Sequence, residues 1–298
     1  MHKSSIYLPD GLKRDLGELA ARTGRSEADL IRHAIERLLT VTGPAESPTS
    51  TATAPVTVAL PKPALVGVGV GPGDPGFVTE RARATLQAAD RVVVISTDVR
   101  SVGRAEMVVR SAAPTARLQR VAFAISGDAA SRHASLLAVA DEVLAGADAG
   151  ELVAVAVIGD PSQWTVFPEL AAVVAEARPG LHITAEPGIT SYQAAAAAAG
   201  TALGVAGAAM VVLDDAVALP RRLDSGRDSV VLYKATTDAD AVRAAAADAG
   251  RHDAIVAELS GLPGQRLVPL ADTPDGPISY LATVVFPARR SVPAASPA

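Results

Sequence analysis

Cysteine is absent from this 298-residue chain, which excludes disulfides, thiolate metal sites and thiol nucleophiles. Aromatic residues make up only 3% while apolar residues reach 49%, so the core must be built mainly from Ala, Val and Leu. The five histidines are scattered and form no pair at metal-ligand spacing, which argues against a metal site. No apolar run approaches the length of a membrane span; the best candidate, 152–158, is the size of a strand. The opening Met1-His2-Lys3-Ser4-Ser5 has no apolar core of a signal peptide. Together these absences predict a cytoplasmic chain without a membrane segment. The net charge of −5 is mildly uneven, because residues 1–43 carry seven Lys/Arg against six Asp/Glu. That balance permits nucleic-acid contact by the first segment without demanding it.

What the chain does have is a glycine loop. Residues 64–75 read Ala-Leu-Val-Gly-Val-Gly-Val-Gly-Pro-Gly-Asp-Pro, a valine-rich run of a buried parallel strand that empties into Gly and Pro. Thr79 is a good N-cap for the Ala/Arg/Leu-rich stretch that follows to Ala89. Strand, loop and helix in that order place a ligand loop at the carboxyl end of the first strand. Gly71, Gly73 and Gly76 fit G-x-G-x-x-G, and Asp98 ends the next predicted strand, as a dinucleotide site would require. The loop chemistry argues otherwise. Pro72 and Pro75 remove two N–H donors that a pyrophosphate would need, and Asp74 adds a repelling charge. The helix also starts beyond the loop. A cationic ligand without phosphate, such as S-adenosylmethionine, suits this loop better.

Strands and helices then alternate. Strands are predicted at 91–95, 118–123 and 151–158, with helices near 102–112 and 130–145 between them, a doubly wound pattern. The second half opens with a helix at 168–177, a strand at 181–185, an alanine-rich helix at 192–199 and a strand at 208–213. A strand at 229–233, a helix at 239–249 and three strands near 254–259, 265–269 and 280–286 predict a mixed sheet.

Ahead of this lies a smaller unit. Lys3 to Leu8 alternates as a short strand, with Ile6 and Leu8 on one face and Lys3, Ser5 and Tyr7 on the other. Two helices follow, the first ending near Thr23-Gly24 and the second opening at Ser26, where Ser26-Glu27-Ala28-Asp29 resembles a capping box. One strand and two helices in about 40 residues bury too little to fold alone, so a second copy is expected to complete the core. The unit resembles a ribbon-helix-helix module. That resemblance implies a homodimer whose paired strands enter the DNA major groove, with Lys3, Ser5 and Tyr7 toward bases and Arg25 and Ser26 near the backbone. The alternative is a dimerisation handle without DNA affinity. Residues 44–63, rich in Pro, Thr, Ser and Ala, read as a flexible linker, and 288–298 as a disordered tail.

Two further turns carry chemistry. Gly159-Asp160-Pro161-Ser162-Gln163-Trp164-Thr165 ends one strand, and Glu186-Pro187-Gly188-Ile189-Thr190-Ser191 ends another. Asp160 alone might cap the next helix, but three such turns can line one cleft. With Val231-Leu232-Tyr233-Lys234, these motifs resemble the tetrapyrrole (corrin/porphyrin) methylase family over residues 64–287. Within it the pattern is most similar to the precorrin-2 C20-methyltransferases, through 120–126, Gly159 to Ser162, 232–234 and 262–270.

The resemblance implies a two-domain α/β fold, divided here into 64–165 and 166–287, with S-adenosylmethionine folded between the domains. It implies cofactor contacts at Pro72, Gly73, Asp74, Gly159, Asp160, Gln163, Thr190, Ser191, Lys234 and Ser260, and a tetrapyrrole substrate. The chain departs from the family at Trp164, Thr165 and Val166, where a tyrosine followed by Ser-Thr is usual, and it lacks the usual proline-containing loop after Ser96. No Ser-His-Asp set or carboxylate dyad is evident, in keeping with methyl transfer to a carbon already nucleophilic. A degenerate domain that senses S-adenosylmethionine or a tetrapyrrole for a transcriptional regulator is the competing expectation.

Overall fold

Valine- and alanine-rich strands buried on both faces build the larger unit, 56–298, and two amphipathic helices the smaller, 1–55. The computed structural model describes residues 9–41, 56, 58–98, 100–124, 128–223, 226–233, 239–276, 278–279 and 282–289. The strand expected over 3–8, with Lys3, Ser5 and Tyr7, lies outside these residues, as does Lys234.

In the smaller unit α1 (Asp10–Thr23) stops at Gly24, whose left-handed φ of 66° closes the helix. Helix α2 (Glu27–Val41) is opened by Ser26, whose hydroxyl accepts the Asp29 N–H at 3.2 Å. This is one half of the expected capping box. The Asp29 carboxylate instead faces Arg32 at 3.1 Å and Arg25 at 3.5 Å.

The larger unit begins with β1 (Ala64–Gly69), α3 (Glu80–Ala88), β2 (Arg91–Ser96), α4 (Arg104–Ala112) and β3 (Leu118–Ala122). It continues with α5 (Ala129–Asp148), β4 (Leu152–Val157), α6 (Phe167–Ala177) and β5 (His182–Glu186). These five strands form one parallel sheet in the order β3-β2-β4-β1-β5. Alternation along β1 explains the layers. Ala64, Val66 and Val68 pack with Ala82, Leu86, Val108 and Val109 of α3 and α4, while Leu65 packs with Val139, Val143, Leu170 and Val174 of α5 and α6. Each such buried Val or Leu contributes roughly 1.5–3 kcal/mol.

After α7 (Ser191–Ala198) the chain enters a second sheet. Its elements are β6 (Met210–Leu213), α8 (Leu219–Leu223), β7 (Ser229–Tyr233), α9 (Ala239–Asp248), β8 (Ile255–Glu258), β9 (Arg266–Pro269) and β10 (Ala282–Phe286). The order is β6-β7-β10-β8-β9, with β6 and β7 parallel and the other pairs antiparallel, the mixed sheet expected. Helices α8 and α9 cover one face through Leu219, Leu223 and Val242. On the other, α7 packs Ala195 against Ala257 and Val285.

Three expected boundaries move. The division placed after Thr165 does not match the sheets, because β5 extends the first sheet through Glu186. The linker expected to reach residue 63 ends earlier, since Leu60 packs on the first core and Lys62 pairs with Asp90 at 2.6 Å. Residues 288 and 289, expected within the tail, are also held in place. The Ala288 N–H donates to the Ala202 carbonyl at 3.0 Å, and Arg289 is paired with Asp253 at 2.9 Å. Helix α8 was not expected, because five residues are too few for helical periodicity to register.

Candidate active site

Three strands end at one point. The Val70 N–H donates to the Val157 carbonyl and the Gly159 N–H to the Gly71 carbonyl, both at 2.9 Å, so the turns after β1 and β4 are bonded to each other. The turn after β5 lies directly on them. A Cβ on Gly188 would sit 2.0 Å from the Gly159 carbonyl oxygen, and one on Gly69 2.6 Å from the Gly188 backbone. Only glycine allows backbones this close. The far side of the β5 turn is anchored by Glu186, buried and bonded to the Arg81 guanidinium at 2.8 and 2.9 Å.

Asp160 clamps the junction. One carboxylate oxygen accepts the Gly188 N–H at 2.9 Å, and the other accepts the Ser162 N–H at 2.9 Å and the Ser162 hydroxyl. Burial pushes this carboxyl up, but these hydrogen bonds outweigh it and hold the group below its ordinary value. Asp160 is therefore an ionised turn clamp.

Other expected ligand groups are similarly committed. The Thr190 hydroxyl and the Gln193 side chain form a capping box at the start of α7. The Asp74 carboxylate is exposed and accepts the Gly76 N–H at 2.7 Å, capping its own short turn. Gly73 is a contact between the two sheets, since a Cβ there would lie 2.5 Å from Leu262 Cδ2.

Between the carboxyl end of the first sheet and the second sheet lies a cavity of about 810 Å³. Of the residues expected to hold a cofactor, Pro72, Ser191 and Ser260 line it. Gln163 lines a smaller cavity of about 420 Å³ with Trp164, Tyr192 and Met210. Gly73, Asp74, Gly159, Asp160 and Thr190 line neither, and instead build the turns around them.

Two groups of hydroxyls stand on the larger wall near these turns. Ser191 and Thr283 share a hydrogen bond of 3.1 Å between their hydroxyls. The Ser260 hydroxyl is buried, in a residue 5% exposed, and has no hydrogen-bond partner among the described residues. A buried unpaired hydroxyl costs about 1–3 kcal/mol, and a ligand atom in the cavity would remove that cost.

Three of the chain's few aromatics meet here. Tyr233 packs edge-on to Tyr192 with centroids 5.9 Å apart, and Trp164 tilts over Tyr233 at 5.5 Å. The Tyr192 hydroxyl donates to Gln163 Oε1 at 2.6 Å. Trp164 and Leu259, both on the cavity wall, have left-handed φ of 47° and 53°, a strain of about 1–3 kcal/mol each.

Sequence reasoning missed several lining residues, among them Arg104, Arg132, Glu169 and Thr283. The signal for Arg104 was its place at the start of the helix that follows β2, at the carboxyl edge of the sheet. Thr283 gave none, because a strand residue reveals its face only once the register is known. The chain's single tryptophan, in the Gly-Asp-Pro turn, was read only as a departure from the family pattern and not as a wall of the cavity. Among the described residues no three His, Asp or Glu side chains gather as a metal site, and no helix is long and apolar enough to cross a membrane.

Comparison with known proteins bears on this site. Residues 64–273 match the sequence profile of the Tetrapyrrole (Corrin/Porphyrin) Methylases. The fold is similar to that of a cobalamin-biosynthetic cobalt precorrin-4 methyltransferase, at 20% identity over 74% of this chain and 93% of that one, with a TM-score of 0.56. It is also similar to the uroporphyrin-III C-methyltransferase of Thermus thermophilus, at 22% identity over 76% and 92%, with a TM-score of 0.51. No curated protein matches the chain at a significant level.

Proposed function

The chain belongs to the tetrapyrrole (corrin/porphyrin) methylases, which use S-adenosylmethionine as methyl donor, and from that premise we propose that it methylates a carbon of a reduced tetrapyrrole. The substrate we assign is precorrin-2 or its cobalt form, and the position C20, on the residue pattern at 120–126, 159–162, 232–234 and 262–270. The observation that carries the proposal is the unpaired Ser260 hydroxyl on a cavity built around three glycine turns. A cavity of about 810 Å³ falls within the roughly 300–1,000 Å³ of small-molecule sites. The residues present therefore fit S-adenosylmethionine.

When bound, S-adenosylmethionine would supply an electrophilic sulfonium methyl, so that a C–CH3 bond could form on the nucleophilic tetrapyrrole carbon as the S–CH3 bond breaks and a neutral thioether leaves. The protein's part is to hold and to exclude. Ser260, the Ser191–Thr283 hydroxyl pair and Pro72 fix the donor's polar groups on the wall shared by both sheets. Trp164 and Tyr233 keep water from the reacting face. Holding two reactants in line in this way can supply about 7–11 kcal/mol of the barrier. No proton need move in the same step, and we assign no catalytic base.

Incubation of the protein with labelled S-adenosylmethionine and precorrin-2 tests this. One added methyl at C20, read by mass and by NMR, is the expected result. Tight binding of the demethylated cofactor with no methylated product from precorrin-2 or its cobalt form would replace catalysis by sensing.

For residues 1–43 we propose a ribbon-helix-helix dimer that contacts DNA through Lys3, Ser5, Tyr7, Arg25 and Ser26. Support comes from the helix pair α1–α2, joined by a left-handed Gly24 and capped by Ser26. The full chain should then sediment as a dimer and select a genomic site with affinity falling steeply as salt rises. A dimer that selects no site would leave this unit an assembly handle.

A further inference from the structure

The cavity carries a charge that the methyl donor's side of the site does not use. Four charged side chains line it: Arg104, Arg132, Glu169 and Asp214. Arg132 is neutralised, since its guanidinium donates to both Glu169 oxygens at 2.7 and 2.9 Å and lies over the Phe123 ring at 5.4 Å. Arg104 differs. It is half-buried and, among the described residues, has no carboxylate within ion-pair distance and no hydrogen-bond partner. Withdrawing a guanidinium part-way from water without a partner is unfavourable, and a ligand carboxylate would supply the missing contacts.

Its position separates it from the donor's turns. In the first sheet β4 stands between β2 and β1, so at about 4.8 Å per strand the end of β2 lies roughly 10 Å from the end of β1. Arg104 follows β2, whereas Pro72 follows β1.

The loop that delivers Arg104 is braced from within. The Ser96 and Ser101 hydroxyls donate to the Asp98 carbonyl at 2.8 and 3.1 Å, and the Asp98 carboxylate accepts the Arg100 N–H at 2.8 Å. Those hydroxyls are spent on the loop. Among the described residues, the half-buried charged group left without a partner on this wall is the Arg104 guanidinium.

We propose that Arg104 is a specificity-determining residue that grips a carboxylate arm of the tetrapyrrole, on the side of the cavity away from the methyl donor. Biosynthetic tetrapyrroles carry acetate and propionate arms around the macrocycle, and a fork-shaped guanidinium pairs with a carboxylate through two parallel hydrogen bonds. The inference rests on the methyl-transfer reading above, and its test separates the two.

Sirohydrochlorin, the stable oxidised form of precorrin-2, is titrated into the full chain in the presence of demethylated cofactor, following pigment absorbance and Trp164 emission. The wild type should bind it with an affinity that falls as salt rises. Arg104→Ala should weaken binding about ten- to hundred-fold, the loss of one charge-assisted contact, and Arg104→Glu more. Arg104→Lys should retain part of the affinity. Cofactor binding, measured separately by calorimetry, should stay unchanged in all three, which also reports that they fold. Wild-type-like pigment binding by Arg104→Ala would overturn the role of Arg104 alone. A wild type that binds cofactor but no pigment would overturn the tetrapyrrole reading and this inference together.

Discussion

Gly188→Ala is the most demanding test of the three-turn junction. The added Cβ would meet the Gly159 carbonyl oxygen at 2.0 Å and the Gly69 Cα at 2.8 Å, both backbone atoms that no rotamer change can clear. One way out is to move the β5 turn, which breaks the 2.9 Å bond from the Gly188 N–H to Asp160. A hydrogen bond to a charged group is worth about 1.5–3 kcal/mol, and overpacking of this kind costs about 1–3 kcal/mol. The two together give roughly 2.5–6 kcal/mol. For a unit of this size about 2–4 °C accompanies each kcal/mol, so the melting point should fall by about 5–24 °C. Demethylated-cofactor affinity, read by calorimetry below the melting point, should fall with it, because Asp160 and Gly159 then lose their register. Gly204→Ala is the control: nothing lies within 4 Å of its would-be Cβ, and its φ is not left-handed, so its melting should barely change. If Gly188→Ala melts and binds as the wild type does, the close approach of these turns is not what holds the site.

Two further outcomes follow from single side chains. Glu106, 2% exposed, is held below the ordinary carboxyl range chiefly by Arg120, opposed by burial and reinforced by Arg110. Because the folded value is depressed, its stabilisation is full above the ordinary carboxyl range and is lost as pH falls through the folded value. Glu106→Gln should therefore lower stability at neutral pH and flatten the acid limb of the stability curve; an acid limb as steep as the wild type's would refute this. Val166, at the start of α6, lines the cavity with a side chain that cannot hydrogen-bond. Val166→Thr should tighten cofactor binding by about one hydrogen bond, roughly 0.5–1.5 kcal/mol, read by calorimetry. Unchanged affinity would mean that Thr165, whose hydroxyl donates to the Pro161 carbonyl at 2.7 Å, already fills that role.

The sequence by itself determined the elements and the places where ligand turns occur. Valine alternation and Gly-Pro or Gly-Asp-Pro breaks are local signals, and strands β1, β2, β4, β5 and β7 and helices α5, α6 and α9 fall within a few residues of where they put them. The motifs at Gly71, Gly159 and Gly188 likewise announced one cleft, because each ends a parallel strand on the same edge of a sheet. What the sequence did not carry was which partner each element and side chain would choose. Nothing local tells β5 to join the first sheet; that is decided by its register against β1. Asp74, Asp160 and Thr190 look like ligand groups in a motif, yet in space Asp160 accepts an N–H of the neighbouring β5 turn, while Asp74 and Thr190 cap their own turn and helix. Arg104 looks ordinary and Ser260 is named only by the family resemblance; only packing leaves, among the described residues, Ser260 buried without a partner and Arg104 on the cavity wall with no carboxylate in ion-pair reach. Local periodicity sets what a segment becomes, whereas the satisfaction of polar groups depends on long-range neighbours and is settled only when the sheets close on each other.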